Sequence, residues 1–237
     1  MARTDPLFRQ YLRYAIERFE HSSAQVMQDM FVDFILQKKG GTFVEFGGYD
    51  GITYSNSHYL EREKEWRGVL AEPTPSLQEL IAKRRPMAIL EKRCVYARTG
   101  TIVEFCETGA TELSTIKGFE QNDHMGRLRR PVRVHNVETI SLDDLITTHF
   151  PGRDVDYVSI DTEGSEWEIL QNYRFTGRPS IFTIEHNFLP KRDLVSNLMQ
   201  KNGYLNVFRE NTGFDDWYVR SDVWRMRLED RSNATGE

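Results

Sequence analysis

The chain alternates between short continuous apolar runs and stretches where apolar residues recur every three or four positions. Runs of the first kind at 42–46, 67–71, 87–91, 101–106, 132–137, 155–160 and 180–185 predict strands. Segments of the second kind at 53–64, 75–84, 141–148, 164–172 and 190–201 predict helices. Strands that are apolar throughout are covered on both faces, so the pattern predicts an α/β fold with buried parallel strands linked by helices. Near the end, "YLNVFRE" and "DDWYVRS" alternate around "NTGF" and predict an antiparallel hairpin at the sheet edge. Ahead of the first strand, Pro6 to Lys38 reads as helical. Leu7, Tyr11, Tyr14 and Phe19 form one apolar face, and Ser23 opens a second helix carrying Val26, Met27, Met30, Phe31, Phe34 and Ile35. The expected organisation is an N-terminal helical segment at 1–39, an α/β domain at 40–228 and a frayed tail at 229–237. A loop insertion at 107–131 breaks the rhythm, and its length suits a functional lid as well as it suits a solvated excursion.

Composition narrows the class. A chain of 237 residues with 39% hydrophobic and 28% charged residues suits one folded α/β domain. A net charge of -5 gives no general reason to bind nucleic acid or an anionic membrane. The basic runs "KRRP" at 83–86 and "RLRRP" at 127–131 read as solvated faces, so nucleic acid is a disfavoured partner. Cys94 and Cys106 cannot form a disulfide framework and read as buried thiols. No long apolar span and no apolar leader is present, so the expected location is cytoplasmic.

The run "GTFVEFGGYDG" at 41–51 is a strand breaking into a glycine-dense turn. Gly47, Gly48 and Gly51 allow tight backbone geometry and close ligand approach. The turn carries Glu45 and Asp50 and no Lys or Arg, which favours a neutral or cationic ligand over a pyrophosphate. In open α/β sheets ligands bind beyond the C-terminal strand ends, where Glu72 in "VLAEPTP" could accept hydrogen bonds from a ribose. A nucleoside-containing cofactor is therefore expected. Asp161, Glu163 and Glu166 follow another strand in "SIDTEGSEWEIL", and Glu185, His186 and Asn187 follow the next. Glu166 reads as a solvent-facing charge at a helix N-terminus. Asp161, Glu185 and His186 or Asn187 form an oxygen/nitrogen set suited to Mg²⁺ or Mn²⁺. His186 could instead be a general base. The remaining histidines, His21, His58, His124, His135 and His149, carry less signal.

The blocks "FVEFGGYDGITYSNSHYLE", "GVLAEPTP", "ELSTI", "ETISLDDL", "VSIDTEGSEWEIL" and "IFTIEHN" together resemble the FkbM family of S-adenosylmethionine-dependent methyltransferases. The resemblance spans roughly 22–220 and includes "SSAQVMQDMFV". It implies a Rossmann-like methyltransferase fold whose seven-stranded, mostly parallel sheet ends in an antiparallel hairpin. It also implies O-methylation of a small hydroxylated acceptor such as a sugar or glycoside. Glu45, Gly47, Gly48 and Asp50 would surround the methionine moiety, with Ser55 and Asn56 nearby, Glu72 on the ribose and Val95 flanking the adenine. Asp161 and Glu185 would be metal ligands, and His186 a third ligand or the base. The chain departs from related sites in having Glu-His where two adjacent acids are common, and in placing Gly48 inside the first glycine motif. An NAD-dependent oxidoreductase shares the sheet, but no G-x-G-x-x-G is present. A non-catalytic small-ligand or protein-binding module is the remaining alternative, favoured if Asp161 points away from Glu185. Tyr49, Tyr54, Trp217 and Tyr218 are candidates for lining the acceptor pocket, and each suits the core or a homodimer contact equally well.

Overall fold

The computed structural model describes residues 5–119 and 131–235, with side chains through Glu229. Two helices, α1 (Pro6–Ile16) and α2 (Gln28–Leu36), precede the first strand, β1 (Thr42–Phe46). Then follow α3 (His58–Lys64), β2 (Arg67–Ala71), α4 (Pro75–Arg84), β3 (Ile89–Glu91) and β4 (Cys94–Val95). Next come β5 (Ile102–Thr108), β6 (Thr115–Ile116), β7 (Pro131–Ile140), α5 (Leu142–His149), β8 (Tyr157–Ile160), α6 (Glu166–Leu170) and β9 (Ile181–Glu185). The chain closes with α7 (Arg192–Lys201), β10 (Tyr204–Val207), β11 (Asp215–Arg220) and α8 (Ser221–Thr235).

The main sheet has seven strands in the order β10-β11-β9-β8-β1-β2-β3. Strands β3, β2, β1, β8 and β9 run parallel, and β11 is antiparallel to both β9 and β10. Strand alternation sends Val44, Phe46, Val158, Ile160, Phe182 and Ile184 to one face, against Leu145 and Ile146 of α5, Ile169 of α6 and Met199 of α7. Phe43, Tyr157, Ile181 and Trp217 face the other way, against α1, α2 and α3. Order along the sheet reverses between β1 and β8, whose C-terminal ends Phe46 and Ile160 lie side by side. A topological switch point of this kind opens a crevice for ligands.

The Rossmann-like prediction holds for the main sheet, with several differences in detail. The runs at 101–106 and 132–137 do not join it. They form β5 and β7, an antiparallel pair in a separate sheet ordered β4-β7-β5-β6. The physical reason is visible in β7, where Val132 and Val134 are exposed and polar residues alternate with them, unlike a strand buried on both faces. The C-terminal hairpin is not simply an edge: β10 is the edge, and β11 inserts beside β9. Helix α3 starts at His58 rather than 53, because the preceding residues form a turn around a buried carboxylate. Between α1 and α2 the backbone is not continuously helical. The segment expected to fray from Glu229 continues helix α8 to Thr235. His124 and the basic residues Arg127, Arg129 and Arg130 of the expected lid lie outside the described residues. Among the described residues, no helix is long and apolar enough to cross a membrane.

Trp217 joins the N-terminal helices to the sheet. It is 2% exposed, stacks on Phe31 at 4.4 Å between ring centroids, and meets Tyr11 edge-on at 5.4 Å. Replacing it removes a large shared contact, so Trp217→Ala should destabilise the fold by about 3–5 kcal/mol. Urea denaturation followed by circular dichroism measures this. A loss below about 1 kcal/mol would show that the helices dock by other means.

Candidate functional site

The turn after β1 is built around Glu45, which is buried within the sheet. Its Oε1 accepts the Asn56 amide at 2.7 Å, and its Oε2 accepts the hydroxyls of Ser55, at 2.9 Å, and Ser57. Asn56 Nδ2 also donates to Ser159 Oγ on β8 at 2.9 Å. Gly48 lies over this carboxylate, where a Cβ would stand 3.1 Å from Oε1. Glu45, Ser55 and Asn56, expected beside the cofactor, are therefore engaged with one another and line neither of the cavities described below. Asp50 is similarly occupied. Its Oδ1 accepts from the amides of Ile52 and Thr53, and its Oδ2 from Thr53 Oγ1 and Arg84. Burial works against its charge, but these donors outweigh it and hold the carboxyl below its ordinary range.

Arg85, in the supposedly solvated "KRRP", is 1% exposed and ties this turn to α4. Its guanidinium donates to Gly51 O at 2.7 Å, to the hydroxyls of Ser55 and Ser57 at 3.1 Å each, and to Glu61 through Nε and Nη2. All five N–H donors of the guanidinium are used.

Two cavities open at the strand ends. The first, about 530 Å³, is lined by Gly47, Glu72, Cys94, Val95, Asp161 and Thr162, among others. Gly47 (φ +91°) must be glycine, since a Cβ would stand 1.8 Å from the Asp161 carbonyl oxygen. Burial, with Glu107 nearby, raises the Glu72 carboxyl to about 7, although the Thr74 amide donates to it at 2.7 Å. Burial pushes the Cys94 thiol up to about 12, which leaves it inert. The second cavity, about 720 Å³, is lined by Tyr49, Tyr54, Glu112, Glu185, Phe188 and Phe214, among others. The two share Gly47, Tyr49, Glu112, Asp161 and Glu163, so they meet over the turn after β8.

Glu163 in that turn has a left-handed backbone, with φ of +58°. Thr115, from the "ELSTI" segment, places its Oγ1 3.2 Å from the carbonyl oxygens of both Thr162 and Glu163. From below, Glu166 accepts the amides of Thr162 and Gly164 at 3.0 Å each. Glu166 is thus buried inside the turn instead of facing water, and burial raises its carboxyl despite those bonds. One carboxylate oxygen each from Asp161, Glu163 and Glu185 lies within 4.8 Å of the others. Burial, then the neighbouring Asp161 and Glu163, raises the Glu185 carboxyl well above its ordinary range. Its Oε2 is buried without a hydrogen-bond partner.

His186 does not join this group. Adjacent residues of an extended chain point to opposite faces, and His186 lines a third cavity of about 330 Å³ with Trp167, Arg192 and Asp216, which Glu185 also borders but Asp161 and Glu163 do not. Its Nδ1 accepts the Phe188 amide at 3.0 Å, so the neutral ring carries its proton on Nε2. Burial lowers its pKa to about 4. The ring nitrogen that could accept a substrate proton is already occupied, which corrects its reading as base or third ligand. Two other histidines serve locally: His58 meets Ser23 at 2.9 Å, and His149 meets Glu91 at 3.3 Å. Trp217 and Tyr218 line neither large cavity, whereas Tyr49 and Tyr54 do.

A family model described as a methyltransferase FkbM domain matches residues 45–214. Among solved structures, the FkbM methyltransferase from Methylobacillus flagellatus KT is similar with a TM-score of 0.48 and 11% identity, over 90% of this chain and 58% of that one. A methyltransferase from Geobacter sulfurreducens gives 0.46 and 12%, over 93% and 90%. A TehB-like SAM-dependent methyltransferase from Corynebacterium glutamicum gives 0.43 and 9%, over 91% and 100%. This chain thus spans little more than half of the Methylobacillus protein's length. No curated protein matches the sequence.

Arg85→Ala leaves Glu61 and the Ser55–Ser57 turn without their cation and should cost about 3–5 kcal/mol of stability. Arg84→Ala, which removes a more exposed partner, should cost about 1 kcal/mol or less. Thermal denaturation of both variants separates the two. Equal effects would show that Arg85 is not the anchor.

Proposed function

We propose that this chain, which belongs to the FkbM family of S-adenosylmethionine-dependent methyltransferases, moves a methyl group from that donor to a hydroxyl of a sugar or glycoside. The observation carrying the proposal is that the two cavities meet over Asp161 and Glu163. The donor occupies the 530 Å³ cavity, with its ribose on Glu72, its adenine beside Val95 and its sulfonium toward the Gly47–Asp161 crossing. A cationic sulfonium suits a wall of carboxylates better than a pyrophosphate would, which disfavours the nicotinamide alternative. Asp161 close to Glu185 also goes against a non-catalytic module.

The acceptor enters the 720 Å³ cavity and presents its hydroxyl oxygen in line with the methyl carbon. As the O–C bond forms and the C–S bond breaks, the sulfonium becomes a neutral thioether, and the hydroxyl proton passes to a carboxylate of the Asp161–Glu185 group. The same group suits a hard divalent cation: three carboxylates converge, and one buried oxygen of Glu185 lacks a partner. Asp161, Glu163 and Glu185 would hold Mg²⁺ or Mn²⁺, which when bound would make the hydroxyl more acidic.

Two measurements test this reading. Calorimetry should show binding of S-adenosylhomocysteine, and Glu72→Gln should weaken it at least about tenfold, as expected for losing a charged hydrogen-bond acceptor. Because the Glu72 carboxyl is raised to about 7, the free protein holds a proton there that an unfolded chain has released above 4.5. Its stability therefore falls as pH rises through that window. Ribose hydroxyls favour the ionised carboxylate, so wild-type affinity should rise from about pH 6 to 8 and then level off. The Gln variant should lose that slope, and no binding at any pH would overturn the assignment. Separately, Mn²⁺ should bind the wild type and bind Glu185→Gln much more weakly. Equal binding would remove Glu185 from the ligand set.

A further inference from the structure

We propose that His186 is a positioning residue for an aromatic platform, Phe188, on which the ring of the acceptor stacks. The inference rests on reading the 720 Å³ cavity as the acceptor site. Phe188 lines that cavity and is 67% exposed, so its ring is accessible to a ligand there. Its backbone and that of Asn187 are left-handed, with φ of +58° and +43°. Two consecutive non-glycine residues in this region persist only where their surroundings hold them.

The holding contacts come from the residue before. His186 Nδ1 accepts the Phe188 amide at 3.0 Å, its carbonyl accepts the Leu189 amide at 2.7 Å, and its ring meets the phenyl edge-on at 5.3 Å. The His186 amide is itself anchored on Phe214 O at 2.8 Å, and Phe214 also lines the acceptor cavity. The histidine thus sits behind the phenyl ring, on the side of the 330 Å³ cavity, while the ring contributes to the 720 Å³ one. Tyr54, 47% exposed and at φ of +63°, supplies a second exposed ring to the same cavity. Exposed rings around a polar, carboxylate-bearing floor fit a molecule with hydroxyls on its edge and an apolar C–H face. That is the chemistry of a pyranose ring, and it gives the histidine beside Glu185 a role other than that of a base.

The test uses protein saturated with S-adenosylhomocysteine and methyl β-D-glucopyranoside as the probe, followed by saturation-transfer NMR. The wild type should transfer saturation to the ring C–H protons. Phe188→Ala and His186→Ala should each weaken probe affinity by about fivefold, in the range of one aromatic contact, and Phe188→Trp should restore it. S-adenosylhomocysteine affinity should stay within about twofold in every variant, since the donor cavity does not include either residue. Nitrogen-15 NMR of histidine should show His186 with Nδ1 unprotonated and Nε2 protonated in both wild type and Phe188→Ala. Probe binding unaffected by Phe188→Ala, no probe binding at all, or an Nδ1-protonated His186 would each overturn the proposal. Failure of S-adenosylhomocysteine to bind would instead overturn the methyltransferase reading beneath it.

Discussion

A carboxylate inside a β-sheet is the constraint around which the upper half of this molecule is arranged. Left unpaired, the Glu45 charge would cost several kcal/mol, so the chain after β1 folds back to supply the Ser55, Asn56 and Ser57 donors. Those hydroxyls in turn accept from Arg85, and Arg85 is balanced by Glu61. One buried acid thereby fixes α3 to α4 and both to β1. The turn that approaches the 530 Å³ cavity is held from behind by this network, so its shape is set by the chain's own groups. Preorganisation of this kind is what an in-line transfer requires, because small misplacements of donor and acceptor are costly in rate.

Acids at the strand ends divide into two groups by what surrounds them. Glu45, Asp50 and Glu166 accept several internal hydrogen bonds each and shape turns. Glu72, Asp161, Glu163 and Glu185 face the cavities. Thr115 links the two sheets at this point, because its hydroxyl contacts the carbonyls of the turn that carries Asp161 and Glu163. The second sheet therefore does more than cover the 530 Å³ cavity with Phe105 and Ile116. It also sets the position of the carboxylates where the two cavities join.

Much of this was legible in the sequence where one physical signal dominates. Continuous apolar runs marked the strands buried on both faces, and some of the acids at their ends line the cavities. Glu72, Gly47, Asp161 and Glu185, named from their place at strand ends, line the cavities, as does Val95, which only the family resemblance pointed to. Legibility failed where a residue's role depends on partners distant in sequence. Glu45 and Arg85 are 40 positions apart, and neither reveals the other, so one looked like a cofactor ligand and the other like surface charge. Strands β5 and β7 looked like members of the main sheet on their apolar residues alone, a reading that gave no weight to the polar residues alternating with them in β7. His186 was misassigned for a simpler reason: the two-residue strand period places it opposite Glu185. That signal was present in "IFTIEH" and outweighed by the chemistry expected of a histidine.

The position of β11 bears on how the molecule is made. It is the last strand in the chain, yet it lies between β9 and β10. A nascent chain lacking residues 215–220 would therefore have β9 paired on one side only, an open edge of the type that recruits other chains. Helix α2, produced early, would wait too, because Trp217 on β11 forms part of its seat. Translation proceeds at about 5–20 residues per second, so the interval between α2 and β11 lasts on the order of ten seconds or more. In its last few seconds, once β9 has been made, an apolar helix and an unpaired strand coexist. This architecture thus concentrates its risk of misassembly on the ribosome, in a period that the finished protein no longer shows.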